Sequence, residues 1–172
     1  MEPQDLRTLQ APLKQQYRDQ PATAVITLRA SGNLDSPGVS CRVETGHALV
    51  EAGLHPATGG SGLQACSGDM LLEALAACAG VTLRAVATAL EIPIRSGTVE
   101  VEGDLDFRGT LGVSKEVPVG LQAIRLRFKL DSEATAEQLA TLEKLTERYC
   151  VVLQTLRSPP SVTVCQEKAG HG

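Results

Sequence analysis

The chain has 172 residues, 42% hydrophobic and 21% charged, so it is long and apolar enough for one folded domain with a sizeable core and is not a disordered chain. With 16 Lys and Arg against 20 Asp and Glu the net charge is −4, and aromatics make up 2%, so the chain lacks the basic field and the stacking rings that nucleic acid requires. Five cysteines, an odd number in a chain too large to need disulfide staples, and a start (MEPQDLRTLQ) without a charged-then-apolar export signal point to a reducing, cytoplasmic setting.

Leu6, Leu9, Leu13 and Tyr17 recur at spacings of three and four. They predict an amphipathic helix over 3–19, part of an N-terminal helical extension (1–21) ahead of the main domain (22–172). Residues 22–31 and 39–45 are rich in β-branched side chains and bounded by Gly, Asn, Asp or Pro, so both read as strands, and Gly46 turns into a third over 47–52. A long irregular stretch covers 54–68.

Residues 69–90 are the most hydrophobic part of the chain and predict a long helix, with Ser67 or Asp69 as its cap and Pro93 beyond its end. Asp69, Glu73 and Arg84 interrupt it, which argues against a membrane span. A helix apolar nearly all round is a buried one, and a chain this small cannot wrap it alone, which implies a partner subunit.

Residues 98–107 alternate, with Val99, Val101, Leu105 and Phe107 on one face and Glu100, Glu102, Asp104 and Asp106 on the other. Residues 124–130 place Ile124, Leu126, Phe128 and Leu130 inward and Arg125, Arg127 and Lys129 outward. Antiparallel pairing sets the acidic face against the basic one. A helix over 135–157 follows, opened by a Thr135/Gln138 capping box and stopped by Ser158-Pro159-Pro160, and SVTVC (161–165) reads as a last strand. The order βββ-α-ββ-α-β defines an α+β class, with helices packed on one largely antiparallel sheet.

Little of the usual catalytic vocabulary is present. His47, His55 and His171 are not at metal-ligand spacing with a cysteine, and neither C-x-x-C nor H-x-x-x-H occurs, so no metal site is expected. There is no G-x-S-x-G and no Walker loop, and the run Gly59-Gly60-Ser61-Gly62 lacks the lysine of a phosphate cradle. The cysteines remain. Cys41 and Cys165 fall in strands as small apolar residues, Cys66 in the loop before the long helix, Cys78 in its middle and Cys150 in the second helix. Taken alone, each is either core or redox group. The small residues around Cys78 (Ala74, Ala76, Ala77, Ala79 and Gly80) leave room for something to approach.

GDMLLEALAACAGVTLRAV (68–86) and ERYCVVLQTL (147–156) resemble the OsmC/Ohr family of osmotically induced and organic-hydroperoxide-resistance proteins. The first resembles the family's central helix, an acidic residue followed nine or ten positions later by small-small-Cys; the second resembles its second-cysteine helix. The resemblance covers roughly 22–165. It implies an OsmC-like fold, an antiparallel sheet wrapped on a long buried central helix, in an intertwined homodimer with two sites at the subunit interface.

It also implies a chemistry. Cys78 falls on the peroxidatic cysteine and Cys150 on the resolving one, so an alkyl or lipid hydroperoxide is reduced through a Cys78 sulfenic acid and a Cys78–Cys150 disulfide. An external dithiol, of lipoyl type or another, restores the thiols, and no bound cofactor is implied. Asp69 falls on the family's acidic residue, although nine helical residues set it on the opposite side from Cys78, and a helix cap is its plainer role. The region matching the family's thiolate-binding arginine (31–38) holds no arginine; Arg29, Arg42 and Arg157 are the candidates to replace it, each otherwise an ordinary solvated charge. The alternative is a non-catalytic dimeric thiol protein of the same fold, a redox sensor or small-molecule-binding scaffold.

Overall fold

The computed structural model describes residues 2–5, 8, 11, 19, 31–33, 40–44, 49–112 and 114–167, and of 31–33, 40–44, 49 and 108 the backbone only. Residues 3–5, 8, 11 and 19 are helical; the expected apolar stripe of Leu6, Leu9, Leu13 and Tyr17 lies outside the described residues, as do Arg29 and most of the expected first strand.

Two sheets form rather than one. In the first, β1 (Ser31–Asn33), β2 (Ser40–Glu44), β3 (Leu49–Gly53) and β4 (Ala65–Cys66) lie in that order, antiparallel except for the parallel β3/β4 pair. The second is the long hairpin of β5 (Ser96–Leu105) and β6 (Leu121–Asp131). Among the described residues no ladder joins them, because β4 is two residues long and the chain then turns into a helix. The stretch expected to be irregular also holds a 3-10 turn, Pro56–Thr58, capped by His55.

The hairpin's charges meet as the alternation requires. Glu100 stands opposite Arg127, and Glu102 opposite Arg125. Arg125 bridges Glu102 and Asp104, Arg127 reaches Glu102, and Lys129 reaches diagonally to Glu100. The Arg125 guanidinium holds the carboxyls of both Glu102 and Asp104 below the usual carboxylate range. All of these groups are exposed, so they select the pairing register more than they stabilise it. The alternation ends at an irregularity between Asp104 and Leu105. Phe107, expected on the strand, instead opens a one-turn helix, α2 (Phe107–Thr110), and stacks on His55 at 4.8 Å between ring centroids.

The long helix is α1 (Ser67–Ala89), which packs on β5 and on the two C-terminal helices. Its cap is Cys66, without a side-chain cap bond, so neither Ser67 nor Asp69 plays that part; Asp69 sits in the first turn, where its charge suits the helix dipole. Its end is a Schellman turn. Glu91 takes a left-handed conformation (φ 57°), its N–H donates to the Thr88 carbonyl, and Ile92 N–H donates to that of Ala87.

By length and composition α1 is able to cross a bilayer. In the fold, one stripe of it, Leu75, Ala79, Leu83 and Ala87, is fully covered. The opposite face is not: Ala74, Ala77 and Leu71 are exposed and Val81 is 72% exposed. The expected burial thus holds, within one chain, for a single face.

The second helical segment is two helices, not the one expected over 135–157. α3 (Ala136–Tyr149) opens on the expected capping box, and α4 (Val151–Arg157) follows after a break at Cys150, whose backbone is extended (φ −70°, ψ 106°). Neither Gly nor Pro marks the break. Two β-branched residues with weak helix preference, Val151 and Val152, follow it, and the amides it frees find a partner in α1, described below. The expected last strand does not form: among the described residues 161–165 has no ladder partner, and Val162 and Val164 are 81% and 90% exposed.

The core has two parts along α1. Leu83, Ala87, Ile92 and Leu142 form one. Leu75, Ala79 and Cys150 form the other, with Cys78, Val99, Val101, Ile124, Leu126, Val152, Leu153 and Leu156 packed around them.

Candidate functional site

Leu142, Thr146 and Cys150 follow one another at four-residue spacing, which places them on one face of α3 and its C-cap. All three are fully buried. This face meets α1, and the break after Cys150 turns the start of α4 toward the middle of α1, where Cys78 sits half-buried.

The consequence is a shared sulfur site. Burial alone would push the Cys78 thiol up, but four donors outweigh it: Val152 N–H, the Cys150 thiol, Val151 N–H and the Thr82 hydroxyl together hold Cys78 below the ordinary thiol value. Cys150 is driven the opposite way. Burial raises it first, against a bond from Leu153 N–H, and the developing Cys78 thiolate beside it raises it further. The two thiols are thus shifted apart, Cys78 toward the thiolate and Cys150 toward its protonated form.

The other candidates do not join this site within one chain. Cys66, half-buried, precedes Cys78 by twelve residues, about 18 Å along a helix. It lines a separate cavity of about 350 Å³ with Leu54, His55, Leu71, Phe107 and Val119. Asp69 is exposed at the start of α1, nine residues from Cys78. Arg157 is exposed, and its guanidinium pairs with Glu147 at 2.8 Å. That pair and the bond from Gln154 Nε2 to the Glu147 carbonyl (2.6 Å) span the break and tie α4 to α3. Arg42 lies on β2, opposite Glu51 in register, and only its backbone is described. Cys41, likewise on β2, fits the expected strand position. Cys165 is exposed in the extended tail rather than in a strand.

A second cavity, about 360 Å³, opens between β6 and the C-terminal helices. Leu75, Leu126, Phe128, Leu153 and Leu156 line it, and Glu143, Glu147 and Arg157 complete its wall. It shares Leu75, Leu153 and Leu156 with the packing around Cys150, but neither sulfur lines it. Among the described residues no group of three His, Cys, Asp or Glu side chains is placed to hold a metal ion.

Sequence reasoning missed the two valine amides and Thr82. The amides carry no side-chain signature, although the Cys-Val-Val run was a hint of a helix break. Thr82 was legible as the residue one turn beyond Cys78.

The family model described as OsmC-like protein matches residues 60–164, more than half the chain, and the chain belongs to that family. No curated protein matches it. Among solved structures, an OsmC-like protein from Mycoplasma pneumoniae superposes with a TM-score of 0.65 at 18% identity, over 78% of this chain and 89% of that one. An organic hydroperoxide resistance protein from Elizabethkingia anophelis, crystallised with thiocyanate, gives 0.62 at 17% identity over 78% and 91%. One from Legionella pneumophila gives 0.60 at 16% over 78% and 91%. At these identities the likeness is one of fold.

Proposed function

We propose that the protein is a thiol-dependent peroxidase that reduces organic hydroperoxides, alkyl or lipid, to alcohols. The observation that carries this reading is the paired sulfur site: Cys78 packs against the cluster of the fully buried Cys150, and the two thiols are shifted in opposite directions, Cys78 down and Cys150 up. Membership of the OsmC-like family, which includes organic hydroperoxide resistance proteins, supports it.

The chemistry balances in three steps. The Cys78 thiolate attacks the terminal oxygen of ROOH, the O–O bond breaks, and the departing alkoxide takes a proton to leave as ROH, while Cys78 becomes a sulfenic acid. The Cys150 sulfur then attacks the Cys78 sulfur, an S–S bond replaces the S–O bond, and the Cys150 proton leaves with the hydroxyl as water. An external dithiol, of lipoyl type or another, returns two electrons and two protons by exchange through a mixed disulfide. Cys78 packs against the cluster that holds Cys150, so the resolving thiol stands beside the sulfenic acid it would attack.

The acting form is a homodimer in the cytoplasm. The exposed face of α1, with Ala74, Ala77 and Val81, is a small-residue apolar surface suited to a second copy of the same helix, and free thiols suit a reducing compartment. Asp69, Arg29 and Arg42 then remain candidates to reach Cys78 across the dimer.

A second reading, a non-catalytic thiol sensor or binding scaffold, is favoured by one observation: the groups that stabilise the Cys78 thiolate are neutral. Turnover separates the two. With cumene or tert-butyl hydroperoxide and an excess of dithiol, wild type consumes many equivalents of peroxide and Cys78→Ser none. Equal consumption by both proteins overturns the peroxidase. A single equivalent consumed by wild type, whatever dithiol is supplied, favours the sensor.

A further inference from the structure

The helix break at Cys150 leaves the Glu147 carbonyl without its helical partner. In an unbroken helix that carbonyl accepts from the N–H of Val151, four residues on. Here α3 ends with Cys150 N–H donating to the Thr146 carbonyl at 2.9 Å, and α4 begins with Gln154 N–H donating to the Cys150 carbonyl at 2.9 Å. The Gln154 side chain fills the gap, its Nε2 donating to the Glu147 carbonyl at 2.6 Å. The Glu147 carboxylate is engaged too, by the Arg157 guanidinium at 2.8 Å. We propose that Glu147, Gln154 and Arg157 are positioning residues, a clamp across the break that holds the Cys150 thiol in place for disulfide closure with Cys78. The proposal deepens the peroxidase reading, in which Cys150 is the resolving thiol.

The spacing shows what the clamp depends on. Gln154 and Arg157 lie seven and ten residues beyond Glu147. Along one straight helix those separations are about 10 and 15 Å, whereas helical side chains meet at three or four residues. The contacts therefore form because the chain bends at Cys150, and they hold the bend closed. On the inner side of α4, Val152, Leu153 and Leu156 pack around the fully buried Cys150. Gln154 and Arg157 are exposed on the outer side. Cys150 is thus the hinge, packed from within and tethered from without.

Each tether is modest by itself, because it is open to solvent. The reaction it serves is sensitive to geometry, since a disulfide admits a narrow range of Cα and Cβ separations. With the clamp closed, the hinge is ordered before the sulfurs react. Without it, closure must also order the hinge, and the effective molarity of Cys150 toward Cys78 falls.

The test measures that effective molarity. Reduced protein is equilibrated with glutathione and glutathione disulfide. The Cys78 thiolate displaces one glutathione, and Cys150 then displaces the other from Cys78, so one glutathione disulfide becomes two glutathiones and one Cys78–Cys150 bond. Iodoacetamide quenches the remaining thiols, and peptide masses after digestion give the bridged fraction. Gln154→Met, which keeps the length and loses the donor, and Arg157→Met are each expected to lower the effective molarity about fivefold. The double variant is expected to lower it about tenfold or more, tenfold being about 30 mV in potential. Gln154→Lys, which restores a donor, returns it toward wild type. Thr135→Ala, which loosens the far end of α3, leaves it in place. An effective molarity unchanged in the double variant, or lowered as much by Thr135→Ala, overturns the clamp, as does a wild type whose Cys78 and Cys150 do not bridge. No peroxide is used, so a wild type that bridges but does not turn over hydroperoxide sinks the peroxidase reading and leaves the clamp to its own result.

Discussion

Replacing Cys150 by alanine removes a fully buried sulfur and tests the pairing from its other side. The stability cost has two parts. Losing one buried group of methylene size costs about 0.8 kcal/mol of transfer. A void of roughly 20 Å³, at about 24 cal/mol per Å³, adds about 0.5 kcal/mol. The sum, about 1.3 kcal/mol, corresponds to a Tm lower by roughly 3–5 °C for a chain of this size. The second effect falls on Cys78, which loses the Cys150 thiol donor while its burial and the valine amides remain. Its alkylation midpoint therefore rises.

The sign in stability follows by linkage. A thiol held below its ordinary value of 9.0 stabilises the fold above that value, and the benefit is lost as pH falls through the lowered one. Reduced wild type thus gains stability, relative to Cys78→Ser, as pH rises from neutrality toward 9, and Cys150→Ala gains less. With peroxide, Cys150→Ala is expected to stop at a Cys78 sulfenic acid that dimedone traps. Thermal melts, the alkylation profile and dimedone adduct mass check the three effects. An unchanged Cys78 midpoint in Cys150→Ala refutes the sulfur contact.

Thr146 is buried and its hydroxyl has no hydrogen-bond partner; Thr146→Val, of the same shape, is expected to raise stability by about 1 kcal/mol in urea titrations, and a loss instead would mean that the hydroxyl has a partner in solution. Thr135→Ala breaks the capping box at the start of α3 and is expected to cost about 1 kcal/mol in the same titrations. Gly80 lies mid-helix, where an added Cβ meets Val99 at an ordinary 3.5 Å. Gly80→Ala is accordingly expected to stabilise by about 0.5–1 kcal/mol, and a destabilised melt would show that Val99 sits closer than this.

Local periodicity was enough for most of the architecture. The alternation of 98–107 and 124–130 carried both the faces of the hairpin and the sign of the charges across it, because side chains in a strand have a period of two. The Thr135/Gln138 box marked the start of α3 because capping is local chemistry. The strand at 161–165 went the other way: alternation proposes a strand, but only a neighbouring edge makes one, and among the described residues none pairs with it.

The sequence by itself determined the long apolar helix, its small residues around Cys78 and the second cysteine near the end of the chain. Tertiary structure decided what those cysteines are to each other. The break at Cys150 lies in a run that reads as one helix, and it sets the start of α4 and the Cys150 thiol beside Cys78 across the packing interface. The same packing raised one thiol and lowered the other, although both began with the same intrinsic acidity. It also paired Arg157 with Glu147. Such assignments depend on which groups meet across elements far apart in sequence, and spacing along one element does not contain that information.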